Sequence, residues 1–204
     1  MAKRRRSTIN PLVIELTMTA IFATLIILMT FTPIGYIRIG VIEMTLLALP
    51  VAVGSTVLGT RSGLILGSLF GLTSFYTCFG LSAFGNALLT INPIFTFIVC
   101  IVPRVLCGFL PALVYKAISK NGTKNTMVAI PVATASTAII NTVLFIFLLW
   151  VLFGSNLNAV VGTSDLIGVF SVIAGTNGLI EIAVNIVVGT AICKPLIEIK
   201  KRLV

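Results

Sequence analysis

Long apolar runs, broken by short stretches bearing Gly, Pro, Asn and charge, set the pattern of this chain. The runs predict six helices, over about 12–31, 43–59, 62–79, 93–119, 126–153 and 165–193. Asn10-Pro11 and Asn92-Pro93 each supply a cap and a first-turn proline for the helix that follows. Pro50 predicts a kink in the second helix. In the third, Gly63, Gly67 and Gly71 recur every fourth residue, a stripe that lets another backbone pack closely. Residues 80–92 read as a semi-polar loop, and Ser119–Asn125 as a turn. Gly154–Thr163 is an Asn/Gly/Ser-rich loop. The sixth helix opens at Ser164 or Asp165 and ends near Lys194-Pro195, ahead of a basic tail, Lys200-Lys201-Arg202. The expected architecture is an all-α integral membrane protein, a single domain over residues 1–204.

Composition agrees. With 58% hydrophobic and 9% charged residues, and a mean hydropathy of +1.17, the class of soluble globular domains is excluded. A net charge of +9 suggests nucleic acid only until the charges are placed. Most Lys and Arg lie at the ends of apolar runs, where they face headgroups and set orientation, so no nucleic-acid partner is expected. Lys3-Arg4-Arg5-Arg6 ahead of an apolar run mimics a secretory signal. No small-residue cleavage site follows, which predicts a retained first helix.

Six spans put both termini on one side. That side holds Lys3, Arg4, Arg5, Arg6, Arg61, Lys116, Lys120, Lys124, Lys194, Lys200, Lys201 and Arg202; the other holds Arg38, while Arg104 lies inside a helix. The asymmetry predicts cytoplasmic termini.

Depth singles out the candidate chemistry. The fourth helix enters from outside near Asn92, so Arg104 is about 12 residues down, roughly 18 Å. Asn177 on the sixth helix reaches a similar depth, Glu181 is one turn deeper, and Asn141 is midway along the fifth. These residues converge on one layer, where an Arg costs about 2.5–3.5 kcal/mol and is expected to face inward. Two readings stand: an Arg104–Glu181 pair that holds helices together, or a ligand site. The two amides favour the ligand, since a salt bridge does not need them. Asn185, one turn further in, reads as a cap or a bridge between helices. Phe75, Tyr76 and Asn92 lie nearer the mouth, where an aromatic belt is the plainer reading of the rings. Glu15 reads as solvated charge, and Asp165 with Ser164 as a helix cap. There is no His, and Cys78, Cys100, Cys107 and Cys193 are scattered in apolar segments, so neither metal nor redox chemistry has support. No phosphate loop or nucleophile–base set appears, and an enzyme is not expected.

The runs TPIGYIRIG and MTLLALPVAVGSTVLGTRSGLILGSLFGLTSF resemble the substrate-binding S components of energy-coupling-factor (ECF) vitamin transporters. So do NPIFTFIVCIVPRVLCG, Asn141-Thr142, and NGLIE at 177–181. The resemblance covers nearly the whole chain and is most like the pantothenate type, with folate, riboflavin, pyridoxine and hydroxymethylpyrimidine as alternatives. It implies a six-helix protein of the bacterial plasma membrane that captures a vitamin from outside. It also implies partners, a transmembrane coupling protein and two cytoplasmic ATPases; ATP is used there, and this chain needs no cofactor. Small residues on the first helix, here Thr19, Ala20, Ala23 and Thr24, would dock the coupling protein. The implied pocket lies in the outer half between the fourth, fifth and sixth helices. Arg104, Asn141, Asn177 and Glu181 suit pantothenate, whose carboxylate, hydroxyls and amide need a fixed cation and amides but no stacking platform. A second class stays open from the residues alone: a self-sufficient carrier in which the central charges form an ion relay.

Overall fold

The computed structural model describes residues 10–32, 35–39, 42–119, 123–154, 156–158, 162, 165–173 and 178–203. Helix α1 (Pro11–Thr30) leads into a hairpin of β1 (Tyr36–Ile39) and β2 (Ile42–Thr45). Then come α2 (Ala48–Leu58), α3 (Thr60–Thr77), α4 (Ala83–Ile91), α5 (Pro93–Ser119) and α6 (Thr123–Phe153). The chain ends in α7 (Leu166–Ile173), α8 (Leu179–Val184), a π-helical turn at Asn185–Gly189, and α9 (Thr190–Leu203). Four stretches are long and apolar enough to cross a membrane: Pro11–Thr30, Pro93–Ser119, Thr126–Phe153 and Leu179–Lys200.

Local chemistry sets the helix starts. Asn10 Oδ1 accepts from the Leu12 amide at 3.0 Å. Asn92 Oδ1 accepts from the amides of Ile94 and Phe95 at 3.0 and 3.2 Å. Each carboxamide satisfies amides that have no partner within their own helix.

Four expectations need correction. Ile42–Thr45 is strand, not the start of a helix: it pairs antiparallel with β1 in the register Tyr36↔Thr45 and Arg38↔Glu43. The Leu46 amide closes the hairpin on the Gly35 carbonyl at 3.0 Å. Helix α2 therefore begins at Ala48. Pro50 then falls in the first turn, where a missing amide breaks no helical bond and gives no cause for a kink. Residues 83–91 form a short helix rather than loop, capped by Ser82 Oγ accepting from the Gly85 amide at 3.1 Å. The basic tail is not a tail: α9 runs past Pro195 to Leu203. Lys200 Nζ there donates to the Val57 carbonyl at 2.9 Å, one of the last carbonyls of α2, which lack amide partners of their own.

Helix α2 is the axis of the packing, with Ala48 and every residue from Pro50 to Leu58 buried. Its 11 residues span only about 16 Å at the helical rise. Buried side chains gather in two clusters. One contains Phe22, Ile26, Val51, Leu66, Phe70, Cys107, Ile130 and Cys193. The other contains Leu88, Val99, Ile146, Leu149, Phe153 and Val169.

The glycine stripe of α3 meets α5. A Cβ on Gly67 would lie 2.5 Å from the Arg104 carbonyl oxygen, and one on Gly71 3.1 Å from Ile101 Cα. At Gly63 the facing residue is Gly108, so the two backbones touch without side chains between them. This contact fixes the height and rotation of α5, and with them the position of Arg104.

Candidate functional site

Arg104 on α5, Asn141 on α6 and Glu181 on α8 are buried, at 6%, 5% and 6% exposure. Along the chain each falls between the two apolar clusters: Arg104 between Val99 and Cys107, Asn141 between Ile130 and Ile146, Glu181 between Val169 and Cys193. They form a polar layer with apolar packing above and below.

Pro103 shapes the cationic part of that layer. A residue at 103 would ordinarily donate its amide to the carbonyl of Val99, and proline has none. Val99 is fully buried, and a buried carbonyl left unmatched costs about 1–3 kcal/mol. Arg104 Nη1 fills the place, donating to that carbonyl at 2.9 Å. The reach is natural because helical side chains lean toward the N-terminus. The guanidinium carbon lies 4.7 Å from the ring centroid of Phe145 and 5.6 Å from that of Phe70. Such cation–π contacts are worth about 0.5–2 kcal/mol.

The acidic part is held from α6 and from the π turn. Asn141 Nδ2 donates to Glu181 Oε1 at 3.5 Å. Asn185 Nδ2 donates to the Glu181 carbonyl at 2.9 Å. Among the described residues no ion pair within 4.0 Å joins Arg104 to Glu181. The layer is therefore not a closed salt bridge. Among the described residues, three of its polar atoms are buried without hydrogen-bond partners: Arg104 Nε, Asn141 Oδ1 and Asn185 Oδ1. One donor and two acceptors in one apolar setting suit a ligand that offers an anionic oxygen and two polar hydrogens.

The other expected positions divide. Asn177 lies outside the described residues. Asn92 spends its side-chain oxygen on the α5 cap. Phe75 is engaged edge-on with Phe79 and Phe97, at 5.2 and 5.1 Å between centroids. Tyr76 is exposed and edge-on to Phe31 at 5.8 Å.

The small-residue face of α1 also splits. Thr19 is buried and donates to Ser62 Oγ at 2.9 Å. Ser62 in turn donates to Glu15 Oε1 at 3.2 Å. Glu15 is thus tied to α3 rather than simply solvated. Ala23 packs against the core, whereas Ala20 and Thr24 remain exposed.

Sequence reasoning missed Phe145 and Phe70, and gave Asn185 only a capping or bridging part. Phe145 was findable, being four residues from Asn141 and so on the same helix face.

Residues 15–193 match the family described as ECF transporter, substrate-specific component. The chain is 36% identical over 171 residues to the pantothenic acid transporter PanT of Lactococcus lactis subsp. cremoris (strain MG1363), covering 79% of this chain and 81% of that one. It is 26% identical over 197 residues to the pantothenate transporter PanT of Leuconostoc mesenteroides subsp. mesenteroides, covering 92% and 94%.

Proposed function

This chain belongs to the family of ECF transporter substrate-specific components, and from that premise we propose that it captures pantothenate for an ATP-driven importer. It is a membrane transport protein of that family. The names of its two relatives support the substrate, and the unmatched atoms of the polar layer carry the argument for where it binds. In the proposed complex the carboxylate meets Arg104, and the hydroxyls and amide N–H of the vitamin meet Asn141 Oδ1 and Asn185 Oδ1. Asn177, outside the described residues, is proposed for the same pocket from its depth in the sequence alone. Phe75, Tyr76 and Asn92 lie toward its mouth. Among the described residues no ion pair within 4.0 Å joins Arg104 to Glu181, which supports Arg104 as the partner of an anionic ligand.

The proposed arrangement has six spans and cytoplasmic termini in a bacterial plasma membrane. Four spans are long enough by themselves; α2, buried in the bundle, and α3, which packs its glycine stripe on α5 and turns Leu64, Ile65 and Leu72 outward, are proposed as the others. The charge asymmetry of the loops supports the orientation. The proposed partners are a transmembrane coupling protein and two cytoplasmic ATPases, which use the ATP; this chain carries no cofactor. Of the expected face Thr19, Ala20, Ala23 and Thr24, the coupling protein docks at the exposed Ala20 and Thr24, while Thr19 and Ala23 pack inward. Mass spectrometry of the protein purified from cells is the test. Bound pantothenate is expected, and a bound flavin or folate in its place would contradict the proposal.

A further inference from the structure

We infer that Pro103 is a positioning residue for Arg104, setting the guanidinium so that one edge is kept for the ligand's carboxylate. The inference rests on the proposed pantothenate reading and goes one step beyond it. Proline at 103 leaves the buried Val99 carbonyl without its helical amide, and Arg104 Nη1 takes that carbonyl at 2.9 Å. Phe145 covers the flat face of the guanidinium at 4.7 Å. Close approach of α3 at Gly67 keeps the Arg104 backbone in place from behind. With Nη1 committed, the Nε–Nη2 edge is the edge left for a bidentate carboxylate, and its Nε is buried without a partner among the described residues. An ordinary residue at 103 returns an amide to the Val99 carbonyl. That amide competes with Nη1, and the fork loses its fixed direction.

The test compares two ligands on the same preparations: pantothenate, and its alcohol analogue with CH2OH in place of the carboxylate. Calorimetric affinities are measured for the unaltered chain, Pro103→Ala, Pro103→Ser and Arg104→Gln. The ratio of the two affinities is unaffected by any loss of folded protein, and the Ser variant supplies the amide in a second side-chain context. Pro103→Ala and Pro103→Ser should each weaken pantothenate by about tenfold and the alcohol by less than about twofold, the loss expected when one charge-assisted contact is misaligned. Equal losses for the two ligands, or none for either, would overturn the inference, because Pro103 would then only shape the helix. Arg104→Gln separates the two levels. If it leaves the pantothenate preference unchanged, the pantothenate reading of Arg104 fails. If it removes the preference while both Pro103 variants keep it, the role of Pro103 alone fails.

Discussion

Asn141 on α6 donates to the Glu181 carboxylate on α8 across 3.5 Å, while its own Oδ1 is buried with no partner among the described residues. One amide thus holds the acid and leaves an acceptor for something else. Asn141→Ala removes both functions. Pantothenate affinity should fall roughly 5- to 150-fold, the range of about 1–3 kcal/mol for a buried polar partner lost. Calorimetry checks it, and unchanged affinity would make Asn141 structural only.

Gly67 has room for no side chain, since a Cβ there would lie 2.5 Å from the Arg104 carbonyl oxygen. Gly67→Leu should force α3 from α5 and cost about 1–3 kcal/mol or more, read as a lower melting temperature in detergent. Leu72, on the exposed side of the same helix, is the control. Leu72→Ala is expected to change stability little. Equal effects of the two would mean that the stripe is not a packing surface.

How far this was legible from sequence depends on whether the signal was local. The starts of α1 and α5 were, because Asn-Pro supplies both cap and first-turn residue in adjacent positions. The hairpin was hidden, since Ile42–Thr45 continues into the apolar run of α2 and looks like its first turn. Helix α4 was masked by Gly85 and Asn86, whose composition suggests loop. Gly85 is needed because a Cβ there would meet Cys78 Sγ at 2.6 Å, a contact invisible along the chain. Pro195 looked like a stop and instead sits inside α9. In the site, depth along each helix put Arg104, Asn141, Asn177 and Glu181 in one layer, of which Asn177 lies outside the described residues. The Arg104–Val99 bond was in principle readable too, from an Arg directly after a helix-interior proline. The rings beneath the guanidinium depend on how α3 and α6 rotate, which no local pattern fixes.

Docking on α1 gives a third expectation. Ala20 is exposed, and Thr24 one turn on is exposed as well. Ala20→Trp should abolish uptake in cells and copurification of the coupling protein, while pantothenate affinity in detergent stays within about twofold, because a bulky residue blocks close helix approach without entering the site. Ala23→Trp should instead perturb folding, since Ala23 packs on the core. Loss of ligand binding with assembly intact in Ala20→Trp would mean that the face is wrongly assigned.

Orientation is open to labelling. Arg61 is exposed at the start of α3 and is placed on the cytoplasmic side by the positive-inside asymmetry. With the four native cysteines replaced, a single Arg61→Cys should resist a membrane-impermeant maleimide in intact cells and react after lysis. Labelling in intact cells would reverse the topology.

The most direct measurement is calorimetric titration of the purified chain with pantothenate, riboflavin and folate, repeated on Arg104→Gln. Pantothenate alone is expected to bind saturably, and more than about tenfold more weakly in the variant, as when a buried charge partner is removed. Tight binding of riboflavin or folate, with none of pantothenate, would contradict the assignment.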